Sequence, residues 1–451
     1  MLPCRPSASS SPRPEPPRPG HPRRYRVNVS QSAAGAATGG PGRAPADQVA
    51  VRRANLVRVL GVVRSAGPLS RAAAARHAGL TRATVSSLVA ELIGRGLLRE
   101  TGFQQDGTVG RPGRRLEIDG RAVSALGLEV NSRYLAAWST DLAGRTRHER
   151  RVVHDATREG AERTIRALAG IAAELLGEAR AAGVRTAGIG VAVPGPVDTD
   201  GGTVRAAPNL GWRDVPAARL LRELLGLPDG TTVAVDNEAN LAALAECGRA
   251  GAGAADLVYV TGEEGIGAGI VVNGGLLRGA GGFSGELGHL QVDPAGGTCA
   301  CGRTGCLETK VGLTAAIRIA APDLAAGGAA SRDPRELAGE LLRRATEGDP
   351  RALAGLDEIG RWLGIGLAVP VNLLNPEVIV LGGYFAAVAP YLLPAAMREL
   401  RERAVAGDAA VSRVTGSALG FSAAVRGAAG VIVEEVFADP TRLMPAVTGD
   451  G

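Results

Sequence analysis

The sequence predicts a winged helix-turn-helix at the N-terminus, followed by a larger α/β body. Three observations carry this. Positive charge is confined to one end. Residues 51–118 read as helices broken by a tight turn and closed by a hairpin. From residue 122 onward, apolar β-runs alternate with helical stretches and end in Gly, Pro, Asp or Asn. The chain has 451 residues, more than one ordinary domain holds. Hydrophobic residues make up 45% but aromatics only 3%, so the cores must be built from Ala, Val, Leu and Ile.

The first element is an extension, residues 1–48. It is rich in Pro, Ser, Gly, Arg and Ala, has no periodicity, and is expected to be disordered. Patterned sequence begins only near Val49, which allows a downstream start codon. "MLPCRPSASSSPRPEPPRPG" lacks the apolar core of a signal peptide. No run of 18 apolar residues is present, so no membrane partner is expected. Five cysteines in so long a chain do not make a disulfide scaffold. A reducing, cytoplasmic setting follows.

Residues 49–120 form the expected DNA-binding domain. Residues 1–50 carry seven Arg against two acids, residues 51–121 thirteen against five, and the remainder 31 basic against 38 acidic. A basic end on an acidic body is the footprint of a nucleic-acid module. Leu56, Val59, Leu60 and Val63 have helical spacing. Ser70 can cap a short helix that Gly79 stops. Thr81 can cap a second helix to about Arg95, with Val85, Leu88, Val89 and Leu92 as its apolar stripe. Its opposite face is small and polar, which suits entry into a major groove of double-stranded DNA. Thr81, Arg82, Thr84, Ser86 and Ser87 are the candidate DNA contacts. "LLRETG" and "RRLEI" then read as strands flanking the Gly-rich wing "FQQDGTVGRPG". Arg111 in "GRPGRR" can lie along a narrow minor groove.

The body spans 121–437, with a tail at 438–451. "VSALGLEV" and "YLAAWSTDLAG" read as paired strands with a turn at 141–144. "AERTIRALAGIAAELLGEARAAG" is helical. "AGIGVAVPGPVD", "TTVAVDNEAN", "LVYVTGEEGIGAGIVVNG" and "EVIVLGG" are strands with polar ends, where open α/β folds place ligands. Residues 320–335 read as a surface loop within a helical stretch.

Three of the five cysteines cluster in "GTCACGRTGCLETK", just after "GELGH". His289, Cys299, Cys301 and Cys306 are a complete tetrahedral set for Zn2+. Four protein ligands leave no open position, so a structural ion is expected. It would fasten the loop that carries Glu286, His289 and Glu308.

"GGFSGELGH" followed by "CACGRTGCLE" resembles the signature of the ROK family, which holds repressors, uncharacterised reading frames and sugar kinases. "VAVPGPVD", "PNLGW", "VDNEANLAALAE" and "NLLNPEVIVLGG" are similar to other family segments in the same order. The resemblance covers about residues 49–435. It implies a body of two actin-like ATPase lobes with a sugar held between them. It also implies sugar contacts from Asn209, Asn237 with neighbouring Glu238, Glu286, His289 and Glu308, and a homodimer or higher oligomer. A dimer would read an inverted-repeat operator.

The family's kinases carry an Asp base in "NDAN" and a phosphate turn "DxGGTK". Here Glu238 stands at the base position, "EVNSRY" replaces the phosphate turn, and "TGEEGIGAGI" puts Glu263 and Glu264 near the polyphosphate path. Side chains on such a turn keep phosphates away. Two carboxylates there repel them. These departures favour a sugar-responsive repressor of carbohydrate metabolism over an enzyme, with Glu238 a vestigial base. The alternative is a sugar kinase, phosphorylating a hexose with ATP, that carries a DNA-binding domain. A third reading is a repressor whose body docks only a protein.

Overall fold

The computed structural model describes residues 45–103, 114–249, 254–327, 332–405, 407 and 413–443. The head opens with α1 (Pro45–Ala66), which begins before the boundary expected at residue 49. β1 (Leu69–Ser70) leads into α2 (Arg71–Ala78), where the Ser70 hydroxyl accepts from the Ala73 amide. Gly79, left-handed at φ 63°, ends α2. α3 (Arg82–Gly94) starts from Thr81, whose hydroxyl accepts from the Thr84 amide. Val85, Leu88, Val89 and Leu92 are all buried, as the stripe predicts. β2 (Leu98–Phe103) and β3 (Arg114–Ile118) pair antiparallel as the wing, and β1 extends the sheet on β3. The wing tip, with Arg111, lies outside the described residues.

The first lobe holds β4 (Val123–Val130), β5 (Tyr134–Asp141), β6 (Thr146–Val153), α4 (Ala156–Ala181), β7 (Arg185–Val193), β8 (Val197–Asp198), β9 (Thr203–Ala207), β10 (Trp212–Val215), α5 (Ala217–Leu225), β11 (Thr232–Asn237) and α6 (Glu238–Arg249). Its main sheet runs β11-β7-β4-β5-β6, and β8, β9 and β10 make a small second sheet. The 141–144 turn is present, but it leads into β6, which sequence reading did not find. β6 is an exposed edge strand rich in Arg, so it lacks an apolar run.

The second lobe holds β12 (Leu257–Gly262), β13 (Ile266–Val272), β14 (Gly275–Leu276), α7 (Glu308–Val311), α8 (Leu313–Ala320), α9 (Pro322–Ala326), α10 (Pro334–Thr346), α11 (Pro350–Leu374), β15 (Val378–Gly383), α12 (Tyr384–Arg403) and β16 (Arg413–Gly416). Its sheet runs β14-β13-β12-β15-β16. α9 occupies part of the stretch read as a loop. Among the described residues, no helix is long and apolar enough to cross a membrane.

The last helix, α13 (Ala423–Ala438), returns to the first lobe and packs on β4, β7 and α6. A Cβ on Gly427 would run into the Leu241 carbonyl, so α13 and α6 meet backbone to backbone. The far end of α13 enters the head. Ile432, Val433, Val436 and Phe437 share one core with Leu56, Val59, Leu60 and Val63 of α1. Arg64 pairs with Glu434 and lies 4.1 Å over the Phe437 ring. Burial of four apolar side chains at this seam is worth several kcal/mol, at ~1.5–3 kcal/mol each. The head is therefore fastened to the body by the C-terminal helix as well as by the 119–122 link.

Candidate functional site

The candidate site is the cleft where residues of the two lobes converge around Gly265, beside the N-terminal end of α6. Its metal corner is a loop shaped by the 3-10 turn Leu287–His289 and by bridges pairing Gln291 with Cys306 and Thr298 with Thr304. The ligand atoms of His289, Cys299, Cys301 and Cys306 all lie within 4.8 Å of one another. Cys301 and Cys306 sulfurs are 3.7 Å apart, and His289 Nδ1 is 3.6 Å from Cys299 Sγ. A disulfide needs ~2.05 Å. A tetrahedral ion at ~2.3 Å from sulfur and ~2.05 Å from nitrogen needs edges of about 3.8 and 3.6 Å. These two distances match two edges of a metal tetrahedron, the other ligand atoms lie within 4.8 Å, and Cys299 and Cys306 are buried.

The same loop forms one wall of the cleft. His289 turns its other nitrogen, Nε2, to within 3.8 Å of Glu286 Oε2. Burial in the wall raises the Glu286 carboxyl above its ordinary range, with His289 opposing and the Glu308 charge adding to the rise. Glu308, at the start of α7, accepts from the Ile266 amide at 3.1 Å and from the Cys299 thiol at 3.3 Å. A Cβ on Gly265 would sit 2.5 Å from Asn209 Nδ2 and 2.6 Å from Glu308 Oε2. Asn209 of the first lobe and Glu308 of the second thus converge on one glycine. The Asn209 carbonyl accepts from Thr157 at 3.0 Å, which ties its turn to α4.

Asn237 and Glu238 sit where β11 meets α6. Asn237 Oδ1 accepts from the Ala239 and Asn240 amides, and its Nδ2 donates to the Gly195 carbonyl and to Glu238. Its amide is thus committed to capping α6. The Glu238 carboxyl is held well above its ordinary range by burial, with the charges of Glu263, Glu286 and Glu129 adding. Arg278, which sequence reading did not single out, pairs with Asp236 at 2.7 Å. Asp236 was visible in "VDNEAN"; its partner lies far along the chain.

Across the cleft, the segment in place of the phosphate turn is filled by side chains. Asn131 Nδ2 donates to Glu263 at 2.8 Å. Arg133 pairs with Glu264 and also donates to Thr314 at 3.2 Å. Tyr134 donates its hydroxyl toward Glu129 at 2.7 Å and faces Glu263 at 3.1 Å. The β4–β5 turn and the β12–β13 turn are therefore bonded to each other across the gap.

On the head, Thr81, Arg82, Ala83, Ser87 and Ala90 are exposed, and Thr84 and Ser86 are half-buried. They lie along the outer side of α3. Thr81 and Thr84 hydroxyls are 2.8 Å apart, so both are partly engaged in the cap. Arg82 makes no ion pair among the described residues.

Comparison with known proteins accounts for both parts. The ROK family profile matches residues 125–435, and the MarR family profile matches residues 57–107. The chain belongs to the ROK family. A putative xylose repressor from a Caldicellulosiruptor species is 32% identical over 399 residues, covering 86% of this chain and 98% of that one. A glucokinase from Halalkalibacterium halodurans is 40% identical over 219 residues, covering 46% of this chain and 64% of that one. A crystal structure of a ROK family transcriptional regulator, a homologue of the E. coli MLC protein, superposes with a TM-score of 0.70. It is 27% identical and covers 88% of this chain and 100% of that chain. The similarity to the two regulators includes the head. The similarity to the glucokinase spans less than half the chain. This ROK protein therefore has a MarR-type winged helix followed by an actin-like sugar-kinase fold.

Proposed function

We propose that this ROK protein is a sugar-responsive transcriptional repressor that leaves its operator when a sugar closes the cleft. One observation carries the reading. Asn209 of the first lobe and Glu308 of the second converge on Gly265, while the side chains in place of the phosphate turn are spent on bonds between the lobes. On this reading a sugar binds and ATP does not. Asn209, Glu286, His289 and Glu308 are the proposed sugar contacts, with Glu238 at the floor. Carboxylates and amides supply the paired donors and acceptors that vicinal hydroxyls need. Asn237 supports the site by holding α6 rather than through a free amide.

The ion at His289, Cys299, Cys301 and Cys306 is proposed to be a structural zinc. Three thiolates and an imidazole favour that metal, and four protein ligands leave no catalytic position. Phosphoryl transfer is not part of the proposal. The glucokinase relative favours the kinase alternative, but the bonded turns argue against it. The proposed domains are a head from 49 to 120, a body to 437 and a tail beyond. The chain is read as a cytoplasmic homodimer or higher oligomer on double-stranded DNA. Thr81, Arg82, Thr84, Ser86 and Ser87 are the proposed contacts, with Arg111 in the minor groove.

Coupling follows from the packing. α6 begins at the sugar floor and lies against α13, and α13 ends inside the head. A sugar that touches both lobes favours the closed state, and only that difference can move the head. A coupling of roughly 1–3 kcal/mol changes operator affinity about 5–150-fold. The test is operator affinity, on duplexes selected from a random pool, across a panel of sugars. The expected result is at least a fivefold loss with one sugar. A sugar that binds without moving operator affinity defeats the coupling.

A further inference from the structure

The side chains that fill the former phosphate path do more than block it. Glu129 and Tyr134 belong to the first lobe, on β4 and β5, while Glu263 belongs to the second, at the turn after β12. Glu129 and Tyr134 are 2% and 0% exposed, and Glu263 is half-buried. The one phenol oxygen lies 2.7 Å from Glu129 Oε1, 3.1 Å from Glu263 Oε2 and 3.4 Å from Glu263 Oε1. A phenol has a single proton to donate. Two ionised carboxylates cannot both be satisfied by it, and like charges this close in a buried site resist joint ionisation. Asn131 also donates to Glu263 Oε2 at 2.8 Å, but a neutral amide leaves the two like charges unopposed, and a second proton resolves this. The phenol donates to Glu129, and a protonated Glu263 donates to the phenol oxygen. Glu129 Oε2 is buried without a hydrogen-bond partner among the described residues, which makes a doubly charged pair costlier still.

We propose that Glu129, Tyr134 and Glu263 form a proton-holding clasp between the lobes, so that pH sets how readily the cleft opens. The inference does not depend on what the sugar side binds.

The surrounding charges do not remove the need for the proton. Arg151 of β6 lies 3.3 Å over the Tyr134 ring and its charge favours ionisation of both carboxyls, but it is shared with Asp333, the cap of α10, at 2.7 and 2.8 Å, and burial outweighs it. Arg335 of α10 adds a weaker positive field at Glu129, and Asp333 adds a negative one at Glu263. Glu264 is paired with Arg133. From α6, Glu238 faces the same carboxylates, and Glu246, which accepts from Ser417, adds further negative charge at Tyr259. Tyr259 on β12 is a further buried phenol in the field of Glu263 and Glu129. Burial, then the Glu129 charge, pushes the Glu263 carboxyl up to about 8.

The sign follows from linkage. With the lobes apart, Glu263 ionises in the ordinary carboxylate range. In the closed clasp it ionises near 8. The clasp is therefore strongest below the ordinary range and weakens as pH rises toward about 8. Above that the loss is complete. The closed-to-open ratio falls up to ~10-fold per pH unit across that window.

The experiment is thermal melting of the full chain from pH 5.5 to 9, with small-angle scattering as the measure of opening. Wild type should melt lower and expand slightly as pH rises to 8, then level off. Glu263→Gln keeps a donor and removes the charge. It should flatten both profiles and melt above wild type at pH 8.5. Glu129→Gln, as a second variant, should move the step down toward the ordinary carboxylate range. Difference profiles isolate the clasp from every other titrating group. Parallel profiles for wild type and Glu263→Gln overturn the proposal. So does a step that stays in place in Glu129→Gln.

Discussion

The two sides of the cleft treat the same kind of residue in opposite ways. On the metal side, Asn209 and Glu308 converge on Gly265 and Glu286 faces His289, with the Glu308 carboxylate steadied by the Ile266 amide and the Cys299 thiol. On the facing side, Glu129, Glu263, Glu264, Asn131 and Arg133 turn their polar ends toward one another. On the proposed reading, one side offers its groups to a sugar, and the other spends its groups on bonds between the lobes. On the same reading, a kinase-like fold keeps recognition without turnover, and the β4–β5 turn serves as an interlobe contact.

The largest effect is expected at the metal corner, because it holds one side of the comparison together. Purified protein should contain about one zinc per chain. Cys306→Ser should lose it and melt lower by roughly 5–10 °C, since each kcal/mol shifts the midpoint of a domain this size by ~2–4 °C. Effector binding should disappear with the metal, because His289 joins the ion to Glu286. The facing clasp has no residue in that loop and should keep its pH profile. Full zinc occupancy in Cys306→Ser, or a metal-free wild type, breaks the assignment.

Asn209→Ala comes next. The side chain lies between the lobes beside Glu308 and carries no apolar core. Its loss should weaken the effector about tenfold, the ~1–1.5 kcal/mol of one or two hydrogen bonds. Operator affinity without effector should stay unchanged. A change in the effector-free protein would make Asn209 a closing contact like Asn131, and the two sides would no longer contrast.

Much of this was legible in the sequence, for reasons that differ by region. The head was readable because caps, a left-handed glycine and an apolar stripe are local signals: Ser70, Gly79, Thr81 and the Val85–Leu92 stripe all serve as their types suggest. The metal set was readable because rare residues at tight spacing have few other uses. β6 was hidden because an Arg-rich edge strand has no apolar alternation. The clasp was read only as a set of missing glycines. That Asn131 reaches Glu263, 132 positions away, depends on two turns meeting across a gap. The role of α13 in the head was equally invisible, since Phe437 and Leu56 join only in the folded chain. Asn237 shows the limit of analogy. The motif marks the position, but in this structure its amide is taken up by α6.

The smallest effect is expected from restoring the base. Glu238→Asp returns the residue type that the kinases of this family use, and it shortens the side chain by one methylene. The variant should still turn over no ATP with any sugar that binds, and Mg-ATP should leave its melting temperature unmoved. Base catalysis contributes ~10²–10⁴-fold only once the phosphoryl group is in line. Positioning contributes more, and a shift of 1 Å can cost ~10²-fold. On the proposed reading, positioning is what the facing side has given up. Asn131 and Arg133 stand where close approach of a polyphosphate needs bare backbone, and both are bonded to carboxylates of the other lobe. Polyphosphate would have to displace Glu263 and Glu264 from these partners and then remain beside their charge. If Glu238→Asp alone gives steady ATP turnover, the phosphate path is open after all. The contrast between the two sides would then reduce to a single methylene.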